Sequence, residues 1–599
     1  MLFPLVSLIL GILLLFLTVS IYWERSFLNG VPFVRKLANS TLFLGGNSLI
    51  ACVFMLGIAG YWNIFDGSSL RLARIILLSL GLGMSSWALL ENADENTPLG
   101  KLRNLAKLEK LGIFLTAISI ITLCSLFLVA FFDGDGGGDA FMYHIPFAAR
   151  IWGIIPPEQY TFEFFTEHRY LGFPLIAHWF QGLFWTLFRR PEATNLTAYF
   201  SLIILVAYLK IYLKLPFYLA TLPLLATPMV HIHATRSYVD LLGNVLVAIL
   251  ILTLYLLYSN KKSLDGVSLT IILASAAGAA NSKHLLVPVV AFILIFVIYQ
   301  LFRVYYFQVQ NPQQKLLNLT KIILLGILAC VLIFATQVKN TILYRNPFYP
   351  VEVSIMGQVL NHTEPQSNYM NPELRKLLPP VRWLKSALEI DAFDQRRPTP
   401  WTLAMDFVPL DDPKYGVGGY FGGYFVFNVI LFIYLCWKHR THETKVAIAL
   451  MLIMTLMTWA LPQSYELRFY MYWMIVFVSL NSYLLCEYNS LNTTKVLKPQ
   501  YFGLVALVFM VIFIDKTAKS FTVPQFHSLA YKIENAGWID SKLMQQFKEG
   551  DKICLVNKSP FAFLYNSYFH PPQNYFLKSE FLVSEEFVKD KCQGLKIVR

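Results

Sequence analysis

The feature that most limits what this chain can fold into is a recurring apolar run about 20 residues long. Such runs occur from the first residue to about Ile514. Runs of this length find their solvent in lipid, where a helix satisfies every backbone hydrogen bond within itself. The candidates lie near 1–22, 41–63, 70–90 and 111–132, then 171–188, 197–213, 215–230, 238–258, 266–281 and 284–302, and finally 319–338, 420–437, 443–462, 469–485 and 501–515. The composition agrees: 56% of the 599 residues are apolar and 14% charged, against about 45–50% and about 25% in soluble domains. This excludes a soluble globular enzyme and a disordered chain. The expected fold is an all-α polytopic membrane protein of about 14 transmembrane helices. The N-terminal run has neither a basic leader nor a small-residue cleavage site, so it reads as a retained helix.

Net charge is +13, and its placement matters more than its size. In a membrane protein the excess gathers in cytoplasmic loops, so a nucleic-acid partner is not expected. One orientation puts Arg25, Arg35, Lys36, Lys101, Arg103, Lys107, Lys110, Lys261, Lys262, Arg303, Lys315, Lys438, Arg440, Lys445, Lys495 and Lys498 on the cytoplasmic side. Arg150, Arg169, Arg236, Lys283 and Arg468 then lie outside, a bias of about three to one. This gives a multi-pass plasma (inner) membrane protein with its C-terminus extracytoplasmic. The stretch 171–230 stays open: either 171–188 dips in and returns, or 197–230 is one span broken near Pro216. Arg189 and Arg190 favour the second choice, Lys210 and Lys214 the first.

The outer side collects the unusual polar sequence: the loop 133–170, HIHATRSYVD (His231 to Asp240), NSKH (Asn281 to His284), the loop 339–419, QSYELR (Gln463 to Arg468) and the tail from about Asp515. Ionisable residues at a membrane boundary are costly, so they point to function. In DGDGGGDAFMYH, Asp139 opens an amphipathic run with Tyr143 and His144 one turn on, an acid and an imidazole suited to proton transfer or metal binding. Asp139 also reads as a helix N-cap, and Asp133 and Asp135 as solvated loop acids. The EF-hand calcium spacing fails, since Gly137 and His144 stand where ligands belong.

Asp139, Tyr143, His144 and Pro146 form a D-x-x-x-Y-H-x-P pattern that resembles a bacterial branch of the GT-C membrane glycosyltransferases. Other elements follow in similar order: Gly172-Phe173-Pro174 with Trp179, an outer Asp240, ASAAGAANSK ending in Lys283, RNPFYP from Arg345 to Pro350, and ELRFYMYW from Glu466 to Trp473. Three departures are visible: Asp240 follows its aromatic residue instead of preceding it, Arg345 stands where glycine is frequent, and four helices precede the acidic loop where many such enzymes have one. The resemblance covers about residues 110–515. It implies an inverting enzyme that takes sugar from a polyprenyl-phosphate-linked donor to a glycan, lipid or protein acceptor. Asp139 and Asp240 would be the acids, as base or as ligands of Mg or Mn, with His144 beside them. Lys283, Arg468, Arg236 and Arg345 would hold donor phosphate at the interface. Tyr143, Trp152, Tyr238 and Glu466 would contact substrate. Rival readings are a flippase or transporter of lipid-linked glycans, and a polysaccharide ligase or polymerase using Arg382, Arg396, Arg397 and His362.

The domain reading is 1–110 as an accessory set of helices, 111–515 as a GT-C-like core with outer loops 133–170 and 339–419, and 516–599 as a small α/β soluble module. In that module DKICLVN reads as a buried strand and LKIVR as another. Cys554 and Cys592 are placed to form a disulfide in an oxidising compartment. The other five cysteines lie in or beside spans, without metal-site spacing.

Overall fold

The computed structural model describes Gly81, Met84 and residues 107–365, 376–388, 422–491, 497–515, 519–581 and 584–599. The chain divides into two compact units, Met1–Phe114 and Leu115–Arg599. The site lies wholly in the second. The first three expected spans, Arg396 and Arg397 fall outside the described residues, apart from Gly81 and Met84.

Among the described residues six helices are long and apolar enough to cross a membrane: Leu108–Phe132, Pro191–Ile211, Asp240–Tyr258, His284–Phe307, Pro312–Ile333 and His442–Ala460. Gly266–Ala280, Gly422–Lys438 and Pro499–Phe513 are apolar but shorter. The helix Asp240–Tyr258 is buried nearly all round and forms the centre of the bundle, whereas Pro312–Ile333 exposes Leu324 and Leu325. Such outward apolar residues are what a helix facing lipid carries.

The two ends of the bundle are set by side-chain contacts. At one end Asn195 donates to the Asp133 carbonyl (3.0 Å), His231 Nε2 lies 2.7 Å from Thr522 Oγ1, and Asn281 donates to the Ile333 carbonyl (2.9 Å). At the other, Tyr208 OH meets Thr253 Oγ1 (2.8 Å), His442 Nε2 lies 2.9 Å from the Tyr258 carbonyl, and Lys261 pairs with Glu443 (3.1 Å) and Glu487 (3.3 Å). Asn195 and His231 share an end. The helices Leu196–Ile211 and Phe217–Leu225, followed by Pro228–His233, therefore run out and back, turning at Lys214 in the left-handed region (φ 53°). The segment 197–230 is thus not one broken span.

The helix Ile176–Phe188 stays at the first end. Its first amide bonds the Asn281 carbonyl (3.2 Å), and its Trp185 packs with the C-terminal module. Thirteen residues reach only about 20 Å, short of a hydrocarbon core about 30 Å thick. Ile176–Phe188 therefore lies at one end of the bundle and does not run its length.

The tail forms a parallel sheet. Strand β2 (Lys552–Val556) lies between β3 (Phe576–Glu580) and β4 (Lys596–Val598), and Ile553 to Val556 are fully buried, as both faces of a parallel strand require. The fourth strand is β1 (Tyr160–Thr161), which pairs with β3 in the register Tyr160↔Leu577. The module thus reaches outside 516–599 for its edge, and one apolar core joins Phe141, Phe147 and Phe162 to Leu529, Leu555 and Phe563. Cys554 and Cys592 form a disulfide with Cα atoms 5.7 Å apart.

Asp133 and Asp135 are not solvated loop acids: both are 6% exposed. Asp133 accepts from the backbone N–H groups of Gln525 (2.9 Å) and His527 (2.7 Å), and Glu192 accepts from Leu529 N–H (2.6 Å). The segment 339–365 is fastened to the same loop. Arg169 forks onto Glu364 (2.7 and 2.9 Å), and Gly172 sits so close to the Tyr349 carbonyl that a Cβ there would come within 2.2 Å of it.

Candidate active site at one end of the bundle

Three acids and three cations converge at the first end. The short turn Ala140–His144 is π-helical, with Ile145 N–H bonded to Ala140 O, a geometry that recurs at functional sites. Asp139 precedes it and makes no side-chain cap bond, so its carboxylate is free to face Arg468 Nη1 at 3.4 Å. The cap reading is thereby replaced by an ion pair. Asp240 begins the central helix and is bonded by the Lys283 ammonium. Asp135 accepts from Gly137 N–H, Ser237 N–H and Ser237 Oγ–H (each 2.8 Å), with Arg236 Nη1 3.8 Å away. Side-chain exposure separates the three: 1% for Asp135, 3% for Asp240 and 23% for Asp139. Only Asp139 offers a carboxylate open to an incoming group.

Asn244, one turn below Asp240 in an apolar helix, holds the pieces together. It donates to the carbonyls of Asp240 (2.8 Å) and Arg468 (3.3 Å) and accepts from Tyr472 N–H (2.9 Å). The Phe469 ring carries Lys283 Nζ at 3.7 Å and the Arg468 guanidinium at 4.9 Å. Tyr238 is buried among His144 (5.5 Å), His233 (5.4 Å) and Arg468 (5.7 Å). A Cβ on Gly137 would lie 2.7 Å from the Tyr238 ring, so only glycine allows the acidic loop to close on this tyrosine.

Electrostatics follow from burial. For Lys283, burial pulls the ammonium below the ordinary lysine value more than Asp240 pushes it up, and Arg468 adds to the downward pull. For Tyr143, burial, then Asp139, push the phenol well up, so it stays neutral. For His144, burial lowers the ring to about 3, with Asp240 opposing. The ring is neutral there and can both donate and accept a hydrogen bond.

For Asp135, burial raises the pKa, but Arg236 and the bonds from Gly137 and Ser237 outweigh it and hold the carboxyl below the usual range. The native state then binds its proton at lower pH than the unfolded chain does. The stabilisation is complete above the ordinary carboxylate range and is lost as pH falls through the native value. Asp135→Asn should cost about 1–3 kcal/mol at neutral pH and flatten the acid side of a thermal-unfolding profile. A variant with an unchanged acid limb would show that Asp135 carries no such linkage.

Not every expected residue joins the cluster. Arg345 is exposed and ends the helix Ala335–Tyr344 in the left-handed region (φ 56°), outside the cluster's ion pairs. Trp152 donates to the Trp179 carbonyl (2.8 Å) and packs in the notch at Gly182, a scaffold contact. Arg236 is committed to Asp135 and to the Phe521 ring (4.7 Å). Glu466 is half-buried immediately before the turn Leu467–Tyr470 that carries Arg468. Asn244, Ser237, His178 and His233 went unassigned from sequence. The first had a signal, a polar residue at i+4 from Asp240 in an apolar run.

Asp139 and Asp240 are the two acids through which a divalent cation was expected to bind. Each faces a cation of its own, and among the described residues no group of three or more His, Cys, Asp or Glu is placed to hold a metal. Fold and site together define a helical membrane protein with an ionic cluster at one end of its bundle. No protein-family model matches the chain, and neither a curated protein nor a solved structure does.

Proposed function

We propose that this protein is an inverting GT-C-type glycosyltransferase that moves a sugar from a polyprenyl-phosphate donor to an acceptor on the extracytoplasmic face of the plasma membrane. The observation that carries the reading is the pairing of one accessible acid, Asp139, with Arg468, beside the buried Asp240–Lys283 pair. The acceptor hydroxyl attacks the anomeric carbon and gives its proton to Asp139. The bond from that carbon to the phosphate oxygen breaks, and the phosphate leaves onto Arg468 and Lys283. Asp240 holds Lys283 in place. Tyr143 and Tyr238 line the approach, and Tyr143 lies within electrostatic range of Asp139 and Arg468.

Two further features support a lipid-linked donor. An apolar cleft of about 220 Å³, lined by Ile251, Phe292, Phe296, Met454 and Met457 among others, runs along the half of the Asp240–Tyr258 helix away from Asp240. Lys261, Lys262 and Lys438 lie at or near the opposite end of the bundle, which fits a cytoplasmic end there and an outer site here. The ionic cluster lies at one end of the bundle and not halfway along the central helix, which favours transfer over alternating-access transport.

The test is incubation of the purified protein in lipid nanodiscs with a synthetic polyprenyl-phosphate sugar and a cell-envelope extract. Time-dependent release of polyprenyl phosphate with labelled sugar appearing in the extract is expected. No release above a protein-free control overturns the reading.

A further inference from the structure

One buried polar pair beside the cluster has no part in that chemistry. His144 Nδ1 and His178 Nε2 lie 3.0 Å apart, and the residues are 1% and 2% exposed. Two neutral imidazoles share a hydrogen bond only if one ring donates and the other accepts, so their tautomers are linked. The surroundings choose the direction. His178 Nδ1 faces the carbonyl of Pro174, just before its own helix, in a contact looser than a regular hydrogen bond. A carbonyl only accepts, so this nitrogen carries the hydrogen and His178 Nε2 carries the lone pair. His144 Nδ1 must then donate, which leaves the lone pair of His144 on Nε2. Burial holds both rings well below their ordinary pKa, so protonation does not erase the arrangement.

His144 Nε2 is buried and has no hydrogen-bond partner among the described residues. Its ring lies against Tyr238 and within electrostatic range of Asp240, Lys283 and Arg468. An orphaned buried acceptor is costly and marks a place where a donor belongs.

The geometry points to His178 as a positioning residue that locks His144 in the Nδ1–H tautomer, so that His144 Nε2 accepts a hydrogen bond from a substrate hydroxyl. The identity of that hydroxyl rests on the proposed transfer reaction; the tautomer does not. A hydroxyl of the donor sugar and one of the acceptor offer the same chemistry, and the test separates them.

The measurement is ring ¹⁵N spectroscopy of histidine-labelled full-length protein, with the His144 signals assigned through His144→Gln. An unprotonated Nε2 is expected in the wild type. His178→Phe keeps a planar ring but removes the acceptor, and should move His144 to the Nε2–H form. His178→Gln, whose side-chain carbonyl accepts, should restore the original form. Titration with a polyprenyl-phosphate sugar, and separately with an alkyl glycoside offered as acceptor, should shift the Nε2 resonance with one of the two. His178→Phe should then raise KM for that substrate about tenfold. A protonated Nε2 in the wild type, or one unaffected by His178→Phe, overturns the positioning role. Silence to both ligands overturns the hydroxyl contact. These readouts are independent of turnover, so a protein that transferred no sugar would still report its tautomer.

Discussion

Asparagine in place of Asp139 should lower sugar transfer by about 10²–10⁴-fold, the range a single general base supplies, with little change in thermal stability. The small structural cost follows from exposure. Asp139 is the most open of the three acids, its pair with Arg468 is long at 3.4 Å, and it caps no helix. Long, partly exposed pairs of this kind contribute little, about 0–1 kcal/mol. The large kinetic cost follows from position: no other carboxylate of the cluster is open to an acceptor hydroxyl. Transfer from the polyprenyl-phosphate sugar, measured at saturating donor, would decide it. Equal turnover by wild type and variant would remove Asp139 from the chemistry.

Lys283→Met should behave in the opposite way, with damage to the fold as well as to the reaction. Asp240 is 2% exposed and begins the central helix, and its carboxylate is bonded by Lys283. Removing one partner of a buried ion pair leaves an uncompensated charge and costs about 3–5 kcal/mol. Arg468 stands near enough to Asp240 to recover part of this, at the expense of Asp139. The double variant Lys283→Met, Asp240→Asn removes both charges and should regain most of the lost unfolding temperature in nanodiscs while transfer stays low. Stability unchanged in the single variant would show that the pair is not a structural element. Transfer restored in the double variant would show that Lys283 does not hold the leaving phosphate.

The candidate site was legible in part. Asp139, Asp240, Lys283 and Arg468 stand out as ionisable residues at the ends of apolar runs, where lipid makes charge expensive. Their pairing was not legible, because Asp139 and Arg468 are 329 positions apart and nothing local links them. Arg345 and Trp152 have the same residue chemistry at similar boundaries, yet a left-handed turn places the first outside the cluster, and the Trp179 carbonyl and tilted ring claim the second. Asp135 reads as a loop acid because glycines surround it. It is buried only because the turn at Ser237 closes over it.

Hydrophobic run length by itself determined that this chain is a helical membrane protein, since about 20 apolar residues have one stable solvent and one backbone arrangement within it. It also placed a buried strand at DKICLVN. Tertiary structure alone decided that Ile176–Phe188 stays at one end of the bundle, that strand β1 of a distant loop completes the C-terminal sheet, and that three acids and three cations meet around Tyr238. Those outcomes depend on which helix ends share a face of the bundle. That is a matter of packing between segments far apart in the chain, and no local pattern of residues encodes it.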